Sequence, residues 1–352
     1  MKSTIFAGAL QPASSPESPT CRGIYRLNGG EGAWERLQGG LPDDLQVNVI
    51  VQHPGKRDTL YIGTQRGLFR SEDGGDSWAD TGLETGDKVV FSVLCHPTHP
   101  DTIYAGMDYA AISKTTDGGR TWRDLPTVQP EGALDACFPV RVLRMAADPS
   151  NPDEIYAAME VGGIIRSLDG GESWQDMSAP LIALSQESHL KSKILSDSET
   201  EGMMDLHALA ISAKRPGTVW IANRMGLFVS EDRGETWREF GIGRFSDLTY
   251  GRDLMISPHD DGVFYAALSD SSRGVAGSIY RSDDGGENWS RVDHDIDVQS
   301  TAMSVSVSRD DPQRVFFAAR LGQVFGTEDG GKTWQSMPMP EGVVDMRSVV
   351  CV

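Results

Sequence analysis

Short apolar runs recur along this chain, and residues that favour turns separate them. In one clear copy the runs cover residues 47–51, 59–63 and 67–70, and a fourth begins at Trp78. Each run is rich in β-branched and aromatic residues and is bounded by Gly, Pro or Asp, as β-strands are. The chain shows no long stretch with a helical period. This pattern predicts an all-β protein built from units of four antiparallel strands.

One turn sequence precedes the fourth strand of each unit. It is Ser-Glu-Asp-Gly-Gly-Asp-Ser-Trp from Ser71 to Trp78, and we refer to it as the Asp turn. Six copies keep the pattern and end at Trp78, Trp122, Trp174, Trp237, Trp289 and Trp334. A seventh copy ends at Trp34 but has Leu27 and Gly29 where Ser and Asp are expected. A unit of about 45 residues that occurs seven times is typical of a propeller or a solenoid.

The two ends of the chain complement each other. The first unit lacks an inner strand, because its second strand begins almost at once with Thr4, while an additional apolar run covers residues 343–352. We predict that this last run is the innermost strand of blade one, which closes the ring and removes an exposed sheet edge. The chain is then a single domain, a seven-bladed β-propeller of four-stranded antiparallel blades. The predicted blades are residues 343–352 with 3–38, then 46–81, 88–125, 140–177, 205–240, 251–292 and 300–337.

The residues of the Asp turn suit a structural role. Asp73 and its equivalents can accept hydrogen bonds from backbone N–H groups of the turn, and Ser71 can add a hydroxyl bond. Gly75 supplies a positive φ angle that other residues avoid, and the Trp ring can pack between neighbouring sheets. We therefore predict that these turns stabilise the blades and are not active sites.

The repeated turn resembles the Asp-box family, also called BNR repeats, whose pattern is Ser/Thr-x-Asp-x-Gly-x-x-Trp. Six of the seven copies fit this pattern, and the repeats cover nearly the whole chain. The resemblance implies a β-propeller of the sialidase and glycoside-hydrolase-like superfamily. Members of the family also include xyloglucan-degrading enzymes, sortilin-type receptors and photosystem assembly factors, so the resemblance leaves the function open.

Two subgroups of that family differ from this chain. Sialidases usually have six blades and an early Phe/Tyr-Arg-Ile-Pro motif, whereas the nearest string here, residues 24–27, leads directly into the first turn. The sequence therefore does not predict sialidase activity. The xyloglucan-degrading enzymes usually pair two propellers around a cleft, whereas the repeats here predict one.

Charge narrows the range of partners. The formal net charge is −19 at pH 7, which argues against non-specific binding to nucleic acid or to an anionic membrane. No apolar run approaches membrane-spanning length, and the N-terminal apolar stretch is too short for a secretion signal. We expect a cytoplasmic protein. The four cysteines have no metal-type spacing, and the sequence predicts no cofactor and leaves the oligomeric state open.

Charged residues are predicted to gather at the mouth of the channel. Connections between blades, and between second and third strands, lie on this face, where ligand sites form. The predicted substrate-binding residues, whose guanidinium groups can bind anions, are Arg66, Arg141, Arg224, Arg252, Arg320 and Arg347. The predicted acid–base residues are Asp108, Glu160, His207, Tyr250 and Asp253. The alternative is a hydrated, salt-bridged channel lining without a catalytic role.

The longest connection between blades covers residues 178–205. Its apolar residues suggest a short amphipathic helix, and it contains His189. We consider it either a lid that carries this histidine to the mouth or a simple surface excursion.

Alternating carboxylates follow blade six at Asp293, Asp295 and Asp297. Such residues can bind Ca²⁺, but this run lacks the Gly and the distal Glu of a helix-loop-helix site. We predict no metal there, with a calcium site as the alternative.

The candidate residues at the mouth favour an enzyme. We expect a hydrolase or lyase of glycoside-hydrolase-like type that acts on a small anionic or sugar-like substrate. The alternative is a non-catalytic propeller scaffold that binds a protein partner. A scaffold predicts a broad apolar or single-signed surface patch, whereas the charges in this sequence are scattered.

Overall fold

The apolar runs fold into seven four-stranded antiparallel sheets, and the inner strands of successive sheets contact one another around a complete ring. The predicted all-β seven-bladed propeller is therefore confirmed. The structure, a computed structural model, describes residues 3–10, 21–29, 32–130, 138–192 and 198–352. Within these ranges there is no helix long and apolar enough to cross a membrane.

Each blade extends from an inner strand beside the channel to a short outer strand. The strands of blades two to four are Val47–Gln52, Leu60–Thr64, Gly67–Ser71 and Ala79–Asp80, then Val90–Cys95, Ile103–Met107, Ile112–Thr115 and Arg123–Leu125, then Arg141–Asp148, Asn151–Glu160, Gly163–Ser167 and Gln175–Asp176. The strands of blades five to seven are Leu206–Ile211, Val219–Asn223, Gly226–Ser230 and Arg238–Glu239, then Tyr250–Ile256, Phe264–Ser269, Gly277–Ser282 and Ser290–Arg291, then Ala302–Val307, Val315–Ala319, Gln323–Thr327 and Gln335–Ser336.

Blade one joins both ends of the chain. From the channel outward its strands are Met346–Cys351, Thr4–Ala9, Gly23–Asn28 and Glu35–Arg36. The first two pair antiparallel, with Ile5 opposite Cys351. Thr4 and Val352 exchange backbone hydrogen bonds of 3.1 and 2.9 Å. The C-terminal strand therefore closes the ring, as predicted.

Every inner strand carries a β-bulge near the end that begins at the mouth. At the bulge one residue has no partner on the second strand, because the register shifts there in all seven blades. These bulge residues are Asn48, Phe91, Leu143, His207, Arg252, Met303 and Arg347. A bulge bends its strand and re-aims a side chain. The repeat therefore provides seven equivalent side-chain positions around the channel.

The core lies between adjacent blades, where facing sheets pack their apolar side chains together. Between blades four and five it contains Tyr156 and Ile164 from one sheet and Phe228 and Trp237 from the other. Leu181 from the long connection belongs to the same cluster. Among the described residues, three short helices add residues to the core between blades. Two are α-helices in the long connection, Ala179–Leu184 and Glu199–Met204, and the third is a 3-10 helix after blade five, Ile242–Arg244.

The Asp turns form the predicted hydrogen bonds. In blade two, the Ser71 hydroxyl donates to Asp73 and accepts from the Gly75 N–H, each at 2.8 Å. The Asp73 carboxylate accepts from the Ser77 N–H at 2.9 Å, and Gly75 has a φ of +93°. The buried Trp78 indole donates to the Gly75 carbonyl. These contacts confirm the structural role of the turn.

The Asp turns make an acid-sensitive contribution to stability. Hydrogen bonds from Ser77, Ser173 and Thr333 lower the pKa of Asp73, Asp169 and Asp329 from 3.8 to about 2. Since the folded pKa lies below the unfolded value, this contribution is present above about pH 4 and is lost as the pH falls towards about 2. In thermal unfolding scans between these limits, we expect the triple variant D73N/D169N/D329N to lose less stability than the wild type.

The exposed Asp87, outside the Asp turns, provides the matched control. D87N is expected to lose thermal stability between about pH 4 and about pH 2 to the same extent as the wild type. An equal loss of thermal stability in the triple variant and the wild type as the pH falls would contradict the assigned role of the Asp turns.

Candidate functional site

A cavity of about 240 Å³ lies at the mouth of the channel. All seven bulge residues line it, although the His207 side chain itself is fully buried. The remaining lining residues are Leu10, Gln46, Val89, Arg141, Arg144 and Glu160. The wall therefore combines four arginines with one glutamate, one histidine and several apolar groups.

Glu160 lies between two of the arginines. Arg141 donates to its carboxylate at 2.8 Å, and Arg252 lies 3.9 Å from the other carboxylate oxygen. The Arg141 guanidinium group also stacks on Phe91 and Phe138, with its central carbon 5.0 and 4.3 Å from the two ring centroids. Stacking of this kind restricts the orientation of a guanidinium group. Arg141 is therefore held in place at the cavity wall.

A buried network lies behind Glu160. His207 Nδ1 donates to the Gly251 carbonyl at 2.7 Å, and its Nε2 lies 3.2 Å from the Tyr250 hydroxyl and 3.3 Å from Asp205. Arg224 donates to Asp205 at 2.8 Å. Because a carbonyl only accepts, Nδ1 carries a proton. The Nε2 atom faces the Tyr250 hydroxyl and the Asp205 carboxylate.

The pKa values of two groups in this network are shifted. Burial raises the pKa of Tyr250 to about 12. Burial alone also raises the pKa of Asp205, but the charges of His207 and Arg224 outweigh it and hold this pKa well below its usual range. Asp205 is therefore a permanent anion that orients His207, and Tyr250 is a neutral hydroxyl at ordinary pH.

A second arginine pair lies on the other side of the cavity. Arg320 contacts Asp345 at 3.2 Å, and Arg347 contacts the same carboxylate at 3.5 Å. Asp345 has a φ of +57°, in the left-handed region. Burial lowers the pKa of Arg347, and the positive charge of Arg252 lowers it further, against the effect of Asp345. Asp345 therefore neutralises the positive charge of Arg347 only in part.

Arg144 and Asp253 form the floor of the cavity. Arg144 from blade four donates to Asp253 of blade six at 2.8 Å, across the channel. A second cavity of about 340 Å³ begins beneath this pair. Asp253 also accepts from the Val305 N–H at 2.9 Å. Its contacts connect blades four, six and seven, so the structure does not place it as a free acid–base group.

The structure places four other predicted residues outside the cavity wall. Arg66 is half-exposed and pairs with Asp44 of its own blade's entry segment. Asp108 accepts from the Val89 N–H at 3.0 Å, so it fixes the backbone between two strands. Arg224 and Arg320 lie behind the wall because Asp205 and Asp345 hold their guanidinium groups there. Of the predicted set, Arg141, Glu160, His207, Arg252 and Arg347 line the cavity, and Tyr250 contacts it through His207.

The long connection does not carry His189 to the mouth. His189 is exposed and bonds Glu239, on the outer strand of blade five, at 2.9 Å. Leu181, Leu190 and Met203 of this connection are buried in the core between blades four and five. The described part of the connection is thus anchored by apolar packing, whereas its residues 193–197 lie outside the described residues.

One group of residues has the composition of a metal site. Ligand atoms of Glu160, Asp205 and His207 all lie within 4.8 Å of one another, the sole such group in the described ranges. Arg141 and Arg224 already bind the two carboxylates, and their positive charges oppose a cation. The alternative calcium site after blade six is not formed, because Asp293 is buried and accepts from Ser278 and Arg291.

Sequence reasoning missed Leu143 and Met303 as wall residues. Both were passed over because a search for chemistry selects charged and polar residues. The signal that would have found them is their position, since they align with Arg252 and Arg347 in the repeat.

Comparisons with known proteins identify related propellers. The family model described as sortilin, neurotensin receptor 3, matches residues 277–350. An oligoxyloglucan-reducing end-specific xyloglucanase of Emericella nidulans is 25% identical over 224 residues. That match covers 59% of this chain and 24% of the xyloglucanase, so the chain spans about a quarter of the relative's length.

Solved structures share the architecture. A GH74 enzyme of Niastella koreensis superposes with a TM-score of 0.63 at 18% identity, over 86% of this chain and 46% of that one. The structure of YCF48 bound to D1 peptide superposes with a TM-score of 0.53 at 19% identity, over 82% and 81% of the two chains. At identities this low, the superpositions show a common propeller fold and nothing more specific.

The buried network predicts a large difference between two arginine substitutions. Arg224 and Asp205 are 10% and 5% exposed, whereas Arg66 and Asp44 are 51% and 41% exposed. Loss of one partner from a buried pair costs about 3–5 kcal/mol, whereas an exposed pair contributes about 0–1 kcal/mol. We expect R224A to lower the free energy of unfolding in urea far more than R66A. Equal losses would contradict the assignment.

Proposed function

We propose that this propeller is a hydrolase or lyase that acts on a small anionic or sugar-like substrate at the channel mouth. The observation that carries the proposal is the cavity wall itself, where Arg141, Arg252 and Arg347 lie beside Glu160 and His207. Anion-binding groups next to groups that transfer protons are the components of acid–base catalysis.

The geometry assigns different tasks to these groups. Arg252 and Arg347 attract the substrate, and Glu160 lies within their reach. His207 is the proposed proton-transfer group, with its Nδ1 proton held by Gly251 and its Nε2 facing Tyr250 and Asp205. The hydrogen bond to Gly251 also fixes the orientation of the imidazole ring.

Related proteins support an action on carbohydrate. Several relatives are xyloglucanases, and the Asp turns resemble the Asp-box repeats of glycoside-hydrolase-like proteins. We propose on this basis that the chain is an Asp-box propeller with a glycoside-hydrolase-like activity.

A protein-binding scaffold is the second candidate. It is favoured by the similarity to YCF48, whose structure contains a bound peptide. Three large apolar side chains, Tyr109, Val275 and Leu321, are also exposed on connections between second and third strands, on the mouth side. A peptide that lay across this face would contact these residues and leave the deep cavity unused.

Turnover by variants separates the two candidates. Xyloglucan oligosaccharides and oligogalacturonides are incubated with the protein, and the products are identified by mass spectrometry, which distinguishes addition of water from elimination. We expect H207A to lower kcat/KM by about 100-fold or more, because general acid–base groups contribute that much. R252A is expected to raise KM, and R66A to leave both constants unchanged.

Two outcomes would contradict the enzyme. One is unchanged turnover in both H207A and R252A. The other is the absence of turnover together with stoichiometric binding of a peptide that is lost in a Y109A/L321A variant and retained in H207A.

A further inference from the structure

We propose that the ligand of the channel mouth is a sugar carboxylate, whose carboxylate group is held by Arg252 and Arg347 and whose ring lies against Phe91 and Leu143. This inference rests on the proposed function and specifies its substrate class. It is carried by the charge balance of the wall, by unpaired donors and by the order of the bulge residues around the ring.

The arginines of the mouth outnumber the carboxylates that they contact. Arg141 and Arg252 share Glu160, and Arg320 and Arg347 share Asp345. In the described part of the chain, these four guanidinium groups therefore face two carboxylates. Of the two other arginines of the region, Arg144 pairs with Asp253, and Arg224 contacts two carboxylates, Glu201 and Asp205. Six arginines of the region thus contact five carboxylates in the described ranges, and one positive charge is in excess.

An excess of buried positive charge is costly unless an anion compensates it. The excess here occurs in a chain with a net charge of −19, so it is a local feature of the mouth. Negative charge brought by a ligand would restore the balance. The mouth is therefore suited to a ligand with one negative charge.

Two guanidinium donors lack partners within the described residues. The Nε atoms of Arg141 and Arg347 are buried and have no hydrogen-bond acceptor there. A buried donor without an acceptor costs free energy, which a ligand oxygen can remove. Planar carboxylates match the fork of a guanidinium group and form two parallel hydrogen bonds with it.

The bulge residues divide the cavity wall into two kinds of surface. Blades five, six and one contribute His207, Arg252 and Arg347, with Met303 of blade seven between the two arginines. Blades three and four contribute Phe91 and Leu143. Blade four also contributes Arg141, whose guanidinium group stacks on Phe91, so apolar and cationic groups lie side by side on this wall. A sugar acid has both matching features, a carboxylate and an apolar face of ring carbons.

The size of the cavity limits the ligand. Its volume of about 240 Å³ is below the roughly 300 Å³ at which pockets for drug-sized ligands begin. One sugar unit therefore enters, and a longer chain extends outward. The Arg144–Asp253 pair lies below it.

Calorimetric titration of the full chain with D-glucuronate tests this assignment without any need for turnover. D-glucose lacks the carboxylate and acetate lacks the ring. We expect glucuronate to bind at least about tenfold more tightly than either, because a charge-assisted hydrogen bond contributes about that factor. Equal affinity for glucose or for acetate, or no binding of glucuronate, would overturn the proposal.

Two variants and a control locate the ligand. R347Q is expected to weaken glucuronate binding about tenfold or more. E160Q is expected to tighten it severalfold, because the competing carboxylate beside Arg141 and Arg252 is removed. This gain cannot result from misfolding. The control R66Q, on the exposed rim, is expected to bind as the wild type does. An unchanged affinity in both R347Q and E160Q would overturn the proposal.

The test is independent of catalysis. Binding of glucuronate that depends on Arg347, with no turnover of any oligosaccharide, would support the sugar-carboxylate site and contradict the enzyme. Cleavage of neutral xyloglucan oligosaccharides without glucuronate binding would support the enzyme and overturn the sugar-carboxylate site.

Discussion

Closure of the ring by the strand Met346–Cys351 is the constraint on which the rest of the structure depends. The strand pairs with Thr4–Ala9 and contacts the inner strands of blades two and seven. Serine hydroxyls join these strands, as in the 3.2 Å bond from the Val349 N–H to Ser304. The same strand carries Arg347, so the arginine group of the mouth is complete only when the two ends of the chain have met. Fold and site therefore form together. The contact between the two chain ends forms despite its large cost in loop-closure entropy.

In blade six, the bulge of the inner strand decides which of two neighbouring residues reaches the cavity. Arg252 is the bulge residue of blade six and lines the wall, whereas Asp253, the next residue, bonds the backbone of blade seven. A one-residue change of register exchanges the faces of a strand. Because the bulge recurs in every blade, side chains at these seven positions can differ without disturbing the packing between sheets. The strict Asp turns and the varied mouth are thus separate parts of one repeat.

The repeat explains why the fold and part of the site could be predicted from sequence. Each Asp turn fixes the position of a strand pair, and the unmatched ends of the chain imply closure in blade one. The same alignment placed His207, Arg252 and Arg347 at the mouth. It could not show that Arg66 pairs with Asp44 or that Asp108 bonds Val89, because the type of a charged residue does not reveal its partner. It also could not reveal the bulges, which depend on pairing across strands. Leu143 and Met303 align with Arg252 in the repeat but are uncharged, so a selection of charged and polar residues omits them.

The contrast between an acidic chain and a cationic mouth limits how a ligand reaches the cavity. A net charge of −19 repels long polyanions, whereas the arginine excess is confined to the mouth, where low-dielectric walls focus its field. The pair Arg144–Asp253 lies between this cavity and the second one beneath it, so an anionic ligand meets the arginines when it enters from the open side of the mouth. The electric field of the arginines therefore acts on a charged group at the end of the ligand. The rest of a long ligand lies in solvent.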